Sequence, residues 1–181
     1  MVKDDIIIRN ASIEDIDQIM NLEINSFDTG IREVKKTYAD RLKIFEDGCL
    51  VIEGKNKNII GFVTSELWDV IKENKDYYKK FDLNHDVSKV HTDEGKELYI
   101  SSIAISKDYQ HKGYGNLIFN KLIDKMILKY GIEAVSLIVS ENWASARKLY
   151  NRNGFSEIYR IEEFFNCNDG KFNGIIMKKE L

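Results

Sequence analysis

The stretch ELYISSIAISKDYQHKGYGNLIF, Glu97 to Phe119, constrains the fold more than any other, because an apolar strand-like run leads through Gly113 and Gly115 directly into a helix-like run. The helix pattern continues with Leu117, Ile118, Leu122, Met126 and Tyr130 on one face. A glycine-rich turn between strand and helix leaves several backbone N–H groups outside any intrahelical bond, beside the positive end of the helix dipole. That is the geometry of a phosphate-sized anion site. For two glycines alone, a tight connection is the simpler reading, and the rest of the chain has to decide.

Within ELYISSIAIS the apolar side chains fall at Leu98 and Ile100, then at Ile103 and Ile105, so the period of two slips by one across Ser101 and Ser102. A β-bulge there keeps both pairs facing one core and leaves backbone groups unpaired. Alternatively both faces of this strand are buried and its phase carries no information.

Around this unit the chain reads as alternating elements. IIIR (Ile6 to Arg9) is a short strand, and Ser12 with Asp15 resembles a capping box opening a helix with Ile13, Ile16, Ile19, Met20 and Ile24 at helical spacing. A second amphipathic run, Ile31 to Phe45, carries Val34, Tyr38, Leu42 and Phe45. CLVIE and IIGFVTSELW, joined by GKNKN, read as an antiparallel hairpin. AVSLIV (Ala134 to Val139) is a continuous apolar strand, SARKLYNRN a helix stopped by Gly154, and FSEIYR and Gly174 to Lys178 two further strands. Between Asp69 and Lys96 the pattern breaks into a weakly helical VIKENKDYYKKFDL and a polar NHDVSKVHTDEGK, long for a connection inside one domain.

Composition removes several function classes. A length of 181 residues suits one domain with a substantial core, and a formal charge of -3 without a basic block argues against nucleic-acid binding. Cys49 and Cys167 lie far apart with no ligand spacing, so neither a disulfide framework nor a zinc site is expected. The apolar run in MVKDDIIIRN is too short for a signal peptide, and no run approaches a membrane span, so a soluble cytoplasmic protein is expected.

At this point the sequence resembles the GNAT superfamily of acyl-CoA-dependent N-acyltransferases. In SSIAISKDYQHKGYG, Gln110, Gly113 and Gly115 match the family's (Arg/Gln)xxGxG/A turn, and in ARKLYNRNGF, Ala146, Leu149, Tyr150, Gly154 and Phe155 match its second signature. The similarity runs from about Leu50 to Phe155. It implies an α/β (α+β) GNAT-like fold over 1–181, with a mixed, mostly antiparallel twisted sheet of about six or seven strands, flanking helices, splayed parallel strands at the cofactor site and an insertion at about 69–96. It implies acetyl-CoA as acyl donor, a primary amine as acceptor, no metal, and leaves a homodimer open.

Carried over by position, the resemblance puts the CoA pyrophosphate on the turn Gln110, His111, Lys112, Gly113, Tyr114, Gly115 and Asn116, and the pantetheine arm along Ile103, Ala104 and Ile105. Tyr150 matches the tyrosine that protonates the departing thiolate; by its residues alone it reads as a half-buried aromatic. Two positions depart from the family. The asparagine expected seven residues before Tyr150 is Trp143, with Asn142 one residue earlier, either a cofactor contact or an N-cap. The glutamate some members carry on the strand is Tyr99 here, which leaves Glu97 as the nearest carboxylate, a base acting through water or a solvated strand-end charge.

His85, Asp86 and His91 in the insertion fall near the acceptor side of this fold. They serve the acceptor or are polar loop residues, and the tyrosines and Trp68 nearby line a pocket or simply pack. Two rival readings stay open: an acyl-CoA-binding sensor or interaction module without turnover, and a nucleotide-binding domain, although GKST and GxGxxG endings are both missing.

Overall fold

The computed structural model describes residues 6–69 and 73–181. Seven strands form one sheet in the order β1-β2-β3-β4-β5-β7-β6. They are β1 (Ile7–Asn10), β2 (Cys49–Glu53), β3 (Ile59–Trp68), β4 (Glu97–Ile105), β5 (Ala134–Ser140), β6 (Ser156–Cys167) and β7 (Gly170–Glu180). All neighbouring pairs are antiparallel except β4 and β5. The helices are α1 (Ile16–Ser26), α2 (Lys35–Ile44), the one-turn α3 (Lys75–Tyr78) and α4 (Val87–Val90), α5 (Tyr114–Tyr130) and α6 (Ala144–Arg152). Among the described residues no helix is long and apolar enough to cross a membrane.

The expected order of elements is present, with differences that have local causes. The run from Ile31 becomes a 3-10 turn at Thr29–Ile31 followed by α2 from Lys35. Ile13, Ile24, Val34 and Leu117, read as parts of apolar faces, are exposed. Ile13 sits in a 3-10 turn before α1, whose inward residues are Ile16, Ile19 and Glu23. The last two strands are far longer than FSEIYR and Gly174 to Lys178: they form a hairpin of 12 and 11 residues. β6 lies at the sheet edge and is polar on both faces, so alternation could not mark its full length. In the insertion only α3 and α4 are helical, and residues 70–72 of its weakly helical run, like residues 1–5 of the N-terminal stretch, lie outside the described residues.

The core divides at the sheet. On one face Ile118, Phe119, Leu122, Ile123 and Met126 of α5 pack against Leu98, Ile100, Val135 and Leu137. On the other, Ile16 and Ile19 of α1 with Tyr38 and Leu42 of α2 cover Val51, Phe62 and Ala104. A third cluster joins the insertion's Tyr77 and Phe81 to Trp68, Tyr99 and Ile176.

β4 and β5 are paired only from Glu97↔Ala134 to Ile100↔Leu137. On its other side β4 pairs Ile100 with Ser65 and Ser102 with Thr64, so Ser101 is an extra residue with no partner. Its hydroxyl is tied back to β3, 2.8 Å from Thr64 Oγ1 and 3.1 Å from the Thr64 carbonyl oxygen. The bulge restores the phase: Leu98, Ile100, Ile103 and Ile105 all contact the α5-side core, and Ala104 faces the α1 side. The bulge reading of this strand therefore holds, and although Tyr99 and Ala104 on the opposite face are also buried, the phase of the apolar residues does mark the bulge. Beyond Ile100 and Leu137 the strands diverge, and the β4 backbone on that side has no strand partner.

The β6–β7 hairpin folds over the segment after α1. Asn168 donates its backbone N–H and its side-chain amide to the Asp28 carboxylate, at 3.1 and 3.0 Å. A Cβ built on Gly30 would lie 2.0 Å from the Asn166 carbonyl oxygen, so only glycine permits this approach. Gly30→Ala is expected to lower stability by about 1–3 kcal/mol through overpacking. Urea unfolding checks this, and an unchanged midpoint would mean that the hairpin yields freely.

Candidate functional site

The divergence of β4 and β5 opens a cavity of about 190 Å³. Ile100, Ser101, Ser102 and Ile103 line one wall, Leu137, Ile138 and Val139 the other, and Ala146 and Tyr150 of α6 one end. Past the exposed end of β4 lies a second, shallower cleft of about 510 Å³, lined by Ile105, Gln110, His111, Gly113, Tyr114, Gly115 and Asn116 together with Ser145, Lys148, Leu149 and Arg152 of α6. The anion turn and the slot between the strands thus follow one another along β4.

The turn has the features an anion needs. His111 and Gly113 are both left-handed, with φ of 61° and 87°, a condition that glycine meets without strain. Gly113 caps α5 with no side-chain hydrogen bond, and the first turn of α5 carries no acidic residue. A helix start without a side-chain cap or an acidic first turn is one that favours an anion. A Cβ at Gly113 would meet nothing within 4 Å, and one at Gly115 only Ile105 Cγ1 at 3.7 Å. The protein itself does not crowd these glycines, and their missing side chains leave the cleft open above the turn. Gln110 braces the turn by donating its amide to the Ile105 carbonyl at 3.0 Å.

Lys148 and Arg152 add positive charge to this cleft from one face of α6. Sequence reasoning missed them, although Ser145, Lys148, Leu149 and Arg152 stand at helical spacing within the signature that carries Tyr150. These donors and cations fit a diphosphate group. Lys112, expected as an added charge, lies over the Tyr109 ring at 4.9 Å and does not line the cleft.

Tyr150 lines the slot, packed against Phe119 and Phe155 at ring-centroid distances of 5.7 and 5.9 Å. Burial pushes its hydroxyl up to about 12, so it holds its proton at neutral pH. Glu97 is not brought to the slot. It is fully buried at the start of β4, where one oxygen accepts from Tyr77 at 2.7 Å and Ser136 at 2.5 Å, and the other lies 3.3 Å from Lys178 Nζ. Glu97 shares a strand face with Tyr99 but lies where β4 and β5 are still paired, covered by the insertion's Tyr77, which ties the insertion to the sheet. Asn142 is exposed outside the slot, its backbone N–H 3.3 Å from Ser140 Oγ. Trp143, at the family's asparagine position, does line the slot and sits between Phe27 and Phe165, at 5.8 and 5.4 Å.

Two carboxylates line the slot, Glu33, which Arg41 holds, and Glu23 of α1. The Glu23 oxygens accept from Tyr38 Oη at 2.7 Å, the Glu33 N–H at 3.0 Å and Ser102 Oγ at 3.5 Å. Burial raises its pKa to about 7, against the opposing pull of these donors. A signal was present: Glu23 continues the inward stripe of Ile16 and Ile19, where a carboxylate has no ordinary reason to be.

Beside it runs a buried ion network. Arg41 grips both Glu33 oxygens, at 2.5 and 2.8 Å, and donates Nε to Glu66 at 2.7 Å. Glu66 also accepts from Trp68 Nε1 at 3.1 Å and lies 2.8 Å from His85 Nε2. His85 Nδ1 is 2.8 Å from the Asp82 carbonyl oxygen, which can only accept. Burial disfavours the charged ring, but the hydrogen bond and charge of Glu66 outweigh it and raise the His85 pKa. His85 therefore belongs to the structure of the site's wall. His91 packs on Phe45 and accepts the Leu67 N–H, and Asp86 caps α4.

The sequence matches the model of the Acetyltransferase (GNAT) family over residues 16–155. The [Ribosomal protein bS18]-alanine N-acetyltransferase of Escherichia coli (strain K12) is 33% identical over 81 residues, 45% of this chain and 54% of that protein. The match thus spans about half the length of that curated relative. The structure of the Escherichia coli ribosomal-protein-S18-alanine N-acetyltransferase aligns over 97% of this chain and 93% of its own with a TM-score of 0.69 at 19% identity. The loading GNATL domain of CurA from Lyngbya majuscula aligns over 97% of both chains with a TM-score of 0.80 at 15% identity. At these identities the structural likeness shows the fold.

Gly113→Val places a branched side chain in a left-handed position that faces the cleft. It is expected to weaken CoA binding by about tenfold or more through loss of one or two amide contacts. Calorimetry with CoA checks this, and unchanged affinity would remove the turn as an anion site.

Proposed function

Because the chain belongs to the GNAT acetyltransferase family, we propose that it transfers the acetyl group of acetyl-CoA directly to a primary amine. The observation that carries this reading is the slot between β4 and β5, with the anion turn at one end and Glu23 and Tyr150 both facing it. The turn, with Lys148 and Arg152, holds the pyrophosphate. The unpaired β4 backbone around Ile103, Ala104 and Ile105 holds the pantetheine arm as an added strand would be held. Acetyl-CoA supplies an activated thioester carbonyl, which the amine attacks as the C–S bond breaks.

Glu23 takes the role the sequence offered to Glu97. As a carboxylate with a pKa of about 7, it accepts a proton from the acceptor's ammonium, either directly or through water. The backbone freed by the bulge at Ser101 faces the carbonyl oxygen where negative charge develops. Tyr150 gives its hydroxyl proton to the departing thiolate, and the second proton, lost by the nitrogen as the adduct collapses to the amide, restores Tyr150 directly or through water. No covalent enzyme intermediate is required. The alanine N-acetylation of a ribosomal protein named for the bacterial relative makes a peptide amine one acceptor to try. The cytoplasm, where acetyl-CoA meets free thiols such as Cys49 and Cys167, is the compartment this reading calls for.

Tyr150→Phe is expected to lower kcat by about 10²-fold or more, the usual worth of a general acid, with CoA affinity nearly unchanged. A large loss of affinity instead would make Tyr150 a packing residue. The pH profile of kcat/KM is expected to rise through about pH 7 as Glu23 ionises. Glu23→Gln should lower the rate and abolish that limb; a retained limb would assign the proton acceptor elsewhere.

A further inference from the structure

The acceptor end of the slot is walled by Phe27 and Ile31 from the segment after α1, Leu83 from the insertion, Tyr99 of β4 and Phe165 of β6. The charged groups that line it among the described residues are Glu23 and Glu33. Glu33 has both oxygens gripped by Arg41, which also donates to Glu66. Glu66 in turn receives His85, whose two ring nitrogens both face acceptors and therefore both carry hydrogen. Two carboxylates thus face two cations, and the network closes on itself with no net charge. Asp28 and Arg32 do not line the slot: Asp28 accepts from Asn168, and Arg32 Nε donates to the Phe27 carbonyl at 2.6 Å. Glu23 receives neutral donors and stands without a cationic partner.

Resting on the transferase reading above, we propose that the acceptor is an amine with a single positive charge and an apolar substituent, and that Phe27, Ile31, Leu83 and Tyr99 select it. The slot of about 190 Å³ is shared with the thioester end of the cofactor, so its acceptor end holds only the amine and the first few carbons attached to it. A second ammonium within that distance would meet an apolar wall with no free carboxylate, and a carboxylate there would meet no free cation. Either charge would lose its water without a partner. Selection against both comes from the missing counter-charge as much as from apolar contact.

Butylamine, 1,4-diaminobutane and 4-aminobutanoate share one chain and differ only in the distal group. With acetyl-CoA, kcat/KM for butylamine is expected to exceed both others by about tenfold or more, the scale of one unpaired charge at a binding wall. Leu83→Asp, in a loop where the new side chain need not disturb the core, adds the missing counter-charge and is expected to shift preference about tenfold toward 1,4-diaminobutane. Calorimetric titration of the CoA-loaded protein with the same three compounds reads the same order without turnover. Butylamine bound most tightly with no acetylation would support the selectivity and overturn the transferase reading. The diamine or the amino acid leading in both measurements, or none of the three binding, would overturn the selectivity.

Discussion

Everything that this site offers depends on the loss of pairing between β4 and β5 after Ile100 and Leu137. A sheet interior normally satisfies every backbone N–H and carbonyl across the ladder. Here an extra residue, Ser101, turns the β4 backbone while β3 keeps hold of it through Thr64. β5 is meanwhile held by β7 along its whole length, from Ala134↔Glu180 to Ser140↔Gly174. Each diverging strand thus has one firm neighbour, and the gap between them is fixed by the covalent register of the bulge. α6 closes one end of the gap with Tyr150, and α1 brings Glu23 to the other.

The second constraint is the buried charge network around Arg41. A buried ion pair is weak evidence for stability, because desolvation offsets much of its attraction. Its geometric consequence is clearer. Arg41 of α2 joins Glu33 before that helix to Glu66 of β3, and Glu66 holds His85 of the insertion. Asn84, next to His85, accepts the Val34 N–H at 2.7 Å. The segment before α2 and the insertion are thereby joined to each other and to β3 beside the slot. The same bonds pair Glu33 and Glu66 with Arg41 and His85, which leaves Glu23 as the one acid in the slot lining without a cationic partner among the described residues.

The sequence makes legible what depends on short-range pattern. The glycine turn, the phase slip at Ser101 and Ser102, and the helix carrying Tyr150 are each local, and each lies where its pattern puts it. The β6–β7 hairpin was only half legible, because an edge strand with polar residues on both faces has no periodicity to read. The carboxylate facing the slot was hidden for a different reason. Glu97 is near the glycine turn in sequence and Glu23 is far from it, but α1 packs on β4 and brings Glu23 to Ser102, while Glu97, on the same strand face as Tyr99, sits at the closed, paired end of β4 and is held by Tyr77 and Lys178. Which acid faces a site between two strands is decided by packing across the sheet, and the one local hint was a glutamate on the inward stripe of α1.

The most direct test of the account is the stoichiometry of thiol release from acetyl-CoA by the purified protein, followed with and without a primary amine. The account predicts thiol and N-acetylated product appearing one for one, only when amine is present, and with no acetylated protein accumulating. Thiol release without amine, or acetyl-CoA bound and never consumed with any amine tried, would contradict it.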